Sequence, residues 1–514
     1  MQNIRAFSGI EFHAQYYPEL IAVIDDEGAY SYRQLFSDSR RAVTAFRENG
    51  LLATDRVAMV SDNRYEAIVL ILAGLLGGPV VVPVNSRMAP EEILWVLNHA
   101  QSTFLMSDGK TMSALTEQDA ALSTRLLCKI AEKTHESSFL NWLAEYPEAA
   151  IAQTYLPNRP YLQVYTSGTS GKPKGVVLTE RNALGQLSSL LMCLDVGLGR
   201  GEILYEGLPV FHVGGIMVSL LALNRGVTIR FLASFNPMTL LDLVCAAKID
   251  HVALVPAMIQ ACQNTDHNPD LLRKLKTIMY GASPITETLL CAAKDRYQCD
   301  FFQIYGMTET HSVITVLGAD DHKRLFAKEI AAGTAGKPVP GSTVKIINAE
   351  GNEVANGEPG EIRVSSQHVM DCYWNDTTAS NEAIQDGFLC TGDVAFISDD
   401  GFLYIMDRIK DLIISGGENV SSLEVENALI AHPKICDIAV VGTPDERWGE
   451  CVTAVVVKSC DSLNKDEVIV YGKQRLAGFK APKRVIFMDG IPRNTNGKIL
   501  KKQLREICSN EVQA

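Results

Sequence analysis

The 514-residue sequence predicts an α/β protein: a large N-terminal domain of layered parallel sheets and helices with a small β-barrel-like part, followed by a small α+β C-terminal domain. Three observations carry that expectation. Strand-like and helix-like patterns alternate through the first part of the chain. Near Gly333 the texture changes to short β-like runs between Gly, Pro, Asn and Asp. After Asp407-Arg408-Ile409-Lys410 a new strand and helix begin. Alternation implies parallel sheets covered by helices, whereas runs punctuated by turn residues imply a small antiparallel sheet or barrel. A chain of this length exceeds one simple core.

In order, Tyr32–Glu48 has helical spacing, Arg56–Val60 reads as a strand, Arg64–Leu76 as a helix and Val80–Val84 as a strand. Pro90–Ala100 is a helix opened by proline and Phe104–Ser107 a short strand. Helices are expected over Ala183–Cys193, Pro237–Ala247 and Thr286–Asp295, and strands over Val227–Phe231, His251–Val255, Thr277–Tyr280 and Phe301–Ile304. The β-like runs Thr343–Ile347, Gly360–Val364 and Phe402–Met406 come next. Leu412–Ser415 then restarts the pattern, and Ser421-Ser422-Leu423-Glu424 resembles a helix start. The expected domains are 1–407 and 411–514, with 408–410 as a hinge. The apolar stretch from Ala67 to Val84 contains Gly74, Gly77, Gly78, Pro79 and Pro83, so a helix followed by a buried strand fits better than a membrane crossing.

The net charge of −13 argues against general nucleic-acid binding and against attraction to anionic membranes. An anionic ligand must be held by local positive sites. The 12 cysteines are scattered without CxxC or His/Cys ligand spacing, so free thiols in a reducing cytoplasm are expected rather than zinc. Met-Gln-Asn-Ile-Arg lacks a signal-peptide core, and Asn-Glu-Val-Gln-Ala carries no peroxisomal tripeptide.

The stretch Tyr165-Thr166-Ser167-Gly168-Thr169-Ser170-Gly171-Lys172-Pro173-Lys174-Gly175 carries the strongest chemical signal. Small residues admit backbone N–H groups close to a polyphosphate, hydroxyls add donors, and Lys172 and Lys174 add countercharge. Its spacing is not that of a Walker loop. Tyr305-Gly306-Met307-Thr308-Glu309 follows an apolar strand. There Tyr305 can stack on adenine, Gly306 permits a tight turn, Thr308 can reach the α-phosphate and Glu309 can hold a hard divalent cation. Thr391-Gly392-Asp393 presents a carboxylate suited to ribose hydroxyls. Singly, a Gly/Ser loop is as readily a linker and a Thr-Gly-Asp a turn; their occurrence together, in order, sets them apart.

From Tyr165 to Lys498 these segments closely resemble the adenylate-forming superfamily: acyl-CoA synthetases, peptide-synthetase adenylation domains and luciferases. The resemblance implies ATP, Mg²⁺ and coenzyme A as cofactors and a carboxylic acid as substrate. It places Thr166 to Lys172, Lys174, Gly281, Ala282, Ser283, Tyr305 to Glu309, Asp393 and Arg408 around the nucleotide, with Glu309 and Thr166 at the metal. Within the loop these are Thr166, Ser167, Gly168, Thr169, Ser170, Gly171 and Lys172. Leu208-Pro209-Val210-Phe211-His212-Val213-Gly214-Gly215 resembles the family's aromatic/His segment. It carries no Asp to pair an α-amino group, which points to a simple carboxylic acid, because an unpaired buried ammonium is costly.

The resemblance lines the acid pocket with Ser189, His212, Val213, Gly214, Gly281, Ile304 and His311; their small or apolar character suggests an aryl or medium-length aliphatic acid. It assigns catalytic roles to Lys498, Thr166, Glu309, His212 and Lys410. Lys498, in Ile491-Pro492-Arg493-Asn494-Thr495-Asn496-Gly497-Lys498, serves adenylation. Lys410 is the hinge of a mobile C-terminal domain, and Ser415-Gly416-Gly417-Glu418-Asn419 lines the thiol tunnel. Trp448, Phe479, Lys480, Lys483 and Arg484 are expected at the CoA nucleotide, although Ala481 stands where relatives can place an Arg. The resemblance implies an ATP-dependent carboxylic acid–CoA ligase that forms an acyl-adenylate and then an acyl-CoA thioester, releasing AMP and pyrophosphate, with loading of an acyl carrier protein's phosphopantetheine thiol as the alternative. A dimer is the candidate oligomeric state.

Overall fold

The computed structural model describes residues 4–122, 127–132, 138–151, 155–166, 173–193, 197–445, 447–493 and 499–513. The chain forms two compact units. One comprises Met1–Thr343 and Val364–Leu389, the other Val344–Arg363 and Cys390–Ala514.

Among the described residues the first unit holds two large sheets. In the nine-stranded sheet, Asp300–Tyr305, Thr277–Gly281, His251–Leu254, Ile203–Glu206, Thr228–Arg230 and Ile21–Asp25 run parallel as neighbours in that order. Antiparallel strands finish both edges: Gly28–Ser31 on one side, Thr315–Leu317 and Lys337–Pro338 on the other. The sheet is therefore mixed, because connections as short as that from Asp25 to Gly28 can only reverse the chain, while parallel neighbours need a crossover. The central strand His251–Leu254 is buried along its whole length, as expected where helices cover both faces.

The seven-stranded sheet has Arg56–Val60, Val80–Val84 and Ser102–Ser107 parallel at its centre. Pro160–Thr166 joins parallel to Val80–Val84 and pairs antiparallel with Lys174–Thr179, and the short strand Cys372–Tyr373 closes that edge. Helices Tyr32–Glu48 and Tyr65–Leu75 lie in the same unit. The first starts where expected because Ser31 and Gln34 form a reciprocal capping box. The second is buried at every position, as is the strand Val80–Val84 that follows it, the helix and buried strand expected for Ala67 to Val84. Among the described residues no helix is long and apolar enough to cross a membrane.

The second unit contains a sheet in which Ile435–Asp445 and Gly449–Lys458 form a long antiparallel pair. Ile413–Ser415 pairs antiparallel with the start of Gly449–Lys458 and Arg484–Phe487 parallel with its middle. Helix Ser422–Ile430 opens at Ser421, whose side chain accepts from Glu424 N–H. Val425, Leu429, Val440, Val452 and Val468 build its core. Strands Ser342–Ile347, Gly360–Ser366, Phe388–Ile397 and Leu403–Arg408 belong to the small sheet expected after Gly333.

Candidate active site

Three of the predicted segments leave the carboxyl ends of parallel strands in the nine-stranded sheet. Leu208–Gly215 follows Ile203–Glu206, Gly281–Ser283 ends Thr277–Gly281, and Tyr305–Glu309 ends Asp300–Tyr305. Such an edge is where open α/β sheets bind ligands. Gly281 and Ile304 face each other in register. Ala282 leaves its strand with φ +66°, and Ala282 and Ser283 are exposed.

Glycine is obligatory at 306: a Cβ there would lie 1.8 Å from the Ser312 carbonyl oxygen. The chain folds back tightly, with Ile314 N–H donating to the Tyr305 carbonyl at 2.7 Å and Ser312 N–H to the Met307 carbonyl at 3.0 Å. Glu309 lies in the short 3₁₀ turn Thr308–Thr310 and is buried. Its Oε1 accepts from the Tyr373 hydroxyl at 2.8 Å. Glu309 and the Thr166 hydroxyl are hard oxygen donors, and a buried carboxylate with oxygen capacity to spare fits Mg²⁺.

His311 is fully buried. Its Nε2 lies 2.5 Å from the Tyr161 hydroxyl, and the two rings stack with centroids 5.9 Å apart. Burial lowers its pKa to about 3, so the ring is neutral and offers no charge to a carboxylate. Ser189, also buried, donates to the Gly185 carbonyl at 2.9 Å within helix Glu180–Cys193.

The expected phosphate loop lies between two paired strands, with Tyr165 opposite Gly175 and Thr166 opposite Lys174. Ser167, Gly168, Thr169, Ser170, Gly171 and Lys172 lie outside the described residues. The Tyr165 hydroxyl is 2.8 Å from His99 Nδ1. Lys174 Nζ sits 4.9 Å from the Tyr373 ring centroid.

His212 caps helix Val213–Asn224 in extended conformation and packs edge-on against Phe211, centroids 4.8 Å apart. Val213 is buried and Gly214 half-buried. The approach to this helix is held by Asn63, which the sequence did not single out: its amide donates to the Leu208 carbonyl at 2.9 Å and accepts from Val210 N–H at 2.8 Å. Glu206 Oε1 accepts from Leu208 N–H at 2.8 Å, and burial pushes this carboxyl far above its ordinary range.

In the second unit Asp393 is buried and Arg408 Nε reaches its Oδ1 at 2.8 Å. Arg505 Nη2 donates to the carbonyl of Lys410 at 3.0 Å. Gly416 and Gly417, both at positive φ, form the turn between Ile413–Ser415 and Glu418–Val420. A Cβ on Gly416 would meet the Trp448 ring at 2.9 Å. Lys483 Nζ lies 3.2 Å from Ser415 Oγ and 4.4 Å from the Trp448 ring centroid. Thus Ser415, Gly416, Trp448 and Lys483, distant in sequence, come together. Phe479 is exposed and its carbonyl lies 3.5 Å from Lys483 Nζ, whereas Lys480 is engaged with Glu424 at 2.7 Å and Arg484 with Asp445 at 2.8 Å. Ala481 is buried. Lys498 lies outside the described residues.

The sequence profile of AMP-binding enzymes matches residues 10–374, and that of the AMP-binding enzyme C-terminal domain matches residues 424–498. The chain belongs to the AMP-binding enzyme family. Among its relatives, a fatty acid–[acyl-carrier-protein] ligase, ScoC of Streptomyces coeruleorubidus, is 33% identical over 96% of this chain and 95% of its own. The long-chain-fatty-acid–CoA ligase FadD13 of Mycobacterium tuberculosis is 31% identical over 94% of each chain. Of solved structures, ATP-bound MatB from Rhodopseudomonas palustris superposes with a TM-score of 0.89 at 27% identity, covering 99% of this chain and 100% of that one. The Bacillus subtilis o-succinylbenzoate CoA synthetase (MenE) with its acyl-adenylate intermediate gives 0.83 at 29% identity over 97% of each.

In this AMP-binding enzyme, Tyr373, like Asn63, is not singled out by the sequence. The only local signal was the aromatic pair Tyr373-Trp374 ahead of Asp376, whose side chain caps helix Thr377–Ala383.

Proposed function

We propose that this AMP-binding enzyme is an ATP-dependent acid–thiol ligase of the acyl-CoA synthetase type. The observation that carries this is the alignment of His212–Gly214, Gly281 and Tyr305–Glu309 along one carboxyl edge of the nine-stranded sheet. The substrate carboxylate attacks the α-phosphorus of ATP, giving an acyl-adenylate and pyrophosphate. A thiol then attacks the acyl carbonyl and AMP, a far better leaving group than a carboxylate oxygen, departs.

Each residue has a place in that scheme. Tyr305 stacks on adenine, Asp393 and Arg408 hold the ribose, and Thr166, Lys174 and the loop between them cradle the phosphates. Glu309 with Thr166 would hold Mg²⁺, which supplies countercharge to the pyrophosphate group. Lys498 stabilises charge that develops in the adenylation transition state. Lys410 is the pivot by which Lys498 gives way to the Ser415–Asn419 loop for thiol attack. Trp448, Phe479 and Lys483 receive the thiol carrier's nucleotide. Because no acidic side chain stands in 208–215 and the buried His311 is neutral, the acid is a simple aryl or medium-chain aliphatic one, held by its apolar body. All 12 cysteines are free, which supports a cytoplasmic enzyme.

A second reading, transfer to the phosphopantetheine arm of an acyl carrier protein, is favoured by the ScoC relative. Pyrophosphate release across a panel of carboxylic acids, followed by thioester formation with CoA or with a holo carrier protein, tests both. Acid-dependent release with thioester on CoA supports the first reading. Thioester on the carrier alone supports the second, and no acid-dependent release overturns both.

A further inference from the structure

The short segment around Tyr373 ties together parts of the site that are far apart in sequence. Met370 N–H donates to the Glu309 carbonyl at 2.8 Å, Asp371 N–H to the Val177 carbonyl at 3.1 Å and Trp374 N–H to the Gly175 carbonyl at 2.7 Å. The Asn182 amide donates to the carbonyls of Gln367 and Val369 at 2.9 and 2.6 Å. Arg56 stacks 3.4 Å from the Trp374 ring centroid, and Trp374 Nε1 donates to the His99 carbonyl at 3.1 Å. Tyr373 is therefore held at its backbone and by its neighbours before its side chain is considered.

That side chain touches two charged groups of the proposed site. Its ring lies against the Lys174 ammonium, at the root of the phosphate loop, and its hydroxyl donates to Glu309 Oε1 at 2.8 Å. Glu309 Oε2 makes no hydrogen bond among the described residues. A carboxylate fixed through one oxygen presents the other in a single orientation, which is what a hard cation with strict geometry requires. Outer partners that orient a metal-binding group commonly set its affinity ten- to a hundred-fold.

We infer that Tyr373 is a positioning residue that sets the Glu309 carboxylate for Mg²⁺; this rests on the reading of Glu309 as the metal ligand. Tyrosine is needed for its hydroxyl, since phenylalanine would keep the ring against Lys174 and lose only the donor.

The test is ATP binding to the full chain, without acid and hence without turnover, by calorimetry across a range of free Mg²⁺. Wild type, Y373F, E309Q and the double variant are compared, with the acid KM and a melting curve measured in parallel. Y373F is expected to weaken the Mg²⁺ dependence of ATP binding roughly ten-fold, leaving magnesium-free ATP affinity, the acid KM and the melting temperature near wild type. The double variant should bind no worse than E309Q. If E309Q loses the Mg²⁺ dependence while Y373F retains it, Tyr373 merely packs and the inference fails. Tighter Mg²⁺ coupling in Y373F means that the hydroxyl competes with the metal, which also overturns it. An unaltered E309Q removes the reading of Glu309 itself, and the inference with it.

Discussion

Arg408 Nε lies 2.8 Å from Asp393 Oδ1, across the antiparallel pair in which these two residues face each other. The carboxylate is further fixed at its backbone, where Asp393 N–H donates to Thr391 Oγ1 at 3.1 Å and Thr391 Oγ1 to the Ile362 carbonyl at 2.8 Å. An acceptor held this way is preorganised for ribose hydroxyls. Asp393→Ala should raise the KM for ATP by roughly ten- to a hundred-fold, the range for losing hydrogen bonds to a charged group. The acid KM should stay near wild type. Initial rates of pyrophosphate release with each substrate varied check this, and a parallel rise in both constants would refute the ribose assignment.

Acid should destabilise the protein through buried histidines. Burial lowers the pKa of His311 to about 3 and those of His322 and His368 to about 4. In the unfolded chain each titrates near 6.5. Their contribution is thus complete above pH 6.5 and is lost as pH falls toward 4, at about 1.4 kcal/mol per pH unit for each histidine. His13 and His251, also lowered by burial, add to this. Glu66, raised to about 7 by burial, and Glu206 and Glu426, also raised by burial, work in the opposite direction. The five histidines outnumber the three carboxyls, so the net effect of acid is destabilising. Melting temperature should fall between pH 7 and pH 5. In His322→Gln, which loses the contacts to the Tyr280 hydroxyl and the Gly318 carbonyl at 2.9 Å, the dependence should flatten by about one proton. An unchanged pH slope would rule out His322 as a contributor.

What could be read from sequence was what local pattern determines. Tyr32–Glu48, Arg56–Val60 and Val80–Val84 fall on the expected residues, because a capped amphipathic helix and short apolar strands declare themselves within a few residues. Helix Val213–Asn224 was not read, since it is buried on nearly every side and so has no polar face to reveal a period. The long pair Ile435–Asp445 and Gly449–Lys458 was missed for the same reason. Glu309 carries a local signal in its Gly-containing turn, while Tyr373, its partner, has only the aromatic pair with Trp374, which does not point to a carboxylate, because that contact depends on how the seven-stranded sheet closes. The grouping of Val344–Arg363 with the C-terminal residues likewise rests on strand pairing between distant segments.

Lys498→Ala should reduce acyl-adenylate formation by roughly 10²–10³, the loss typical of one preorganised donor to developing charge. Thioester formation from preformed acyl-adenylate should fall far less, because Lys498 serves only the first step. Single-turnover measurement of each half-reaction distinguishes the two, and equal losses would exclude this role.

Lys410→Pro should separate the half-reactions. The hydrogen bond described for Lys410 is made by its carbonyl, which accepts from Arg505, so proline restricts φ here without removing a described bond. Pyrophosphate exchange should persist while transfer to thiol collapses. Retention of both activities would mean that the pivot lies elsewhere.

Gly214 should set the size of the acid. Its neighbour Gly215 is fixed by packing, since a Cβ there would lie 2.5 Å from the Pro209 carbonyl oxygen; a Cβ on Gly214 would meet only Leu208 Cδ1, at 3.8 Å. Gly214 also lies inside helix Val213–Asn224, where alanine is preferred to glycine by up to about 1 kcal/mol. The backbone therefore gives no reason for glycine at 214. The open space beside His212 gives one, if the acid occupies it. Gly214→Ala should fold at least as stably as wild type, whereas Gly215→Ala should lower the melting temperature. Gly214→Leu should cut kcat/KM for long or bulky acids by roughly tens- to hundreds-fold, since each methylene of fit is worth about 1–3 kcal/mol. Short acids and ATP affinity should be spared. Comparing a short with a long acid on Gly214→Leu, with melting curves for all three variants, decides the matter. A loss independent of acid size in a normally melting protein would remove Gly214 from the pocket.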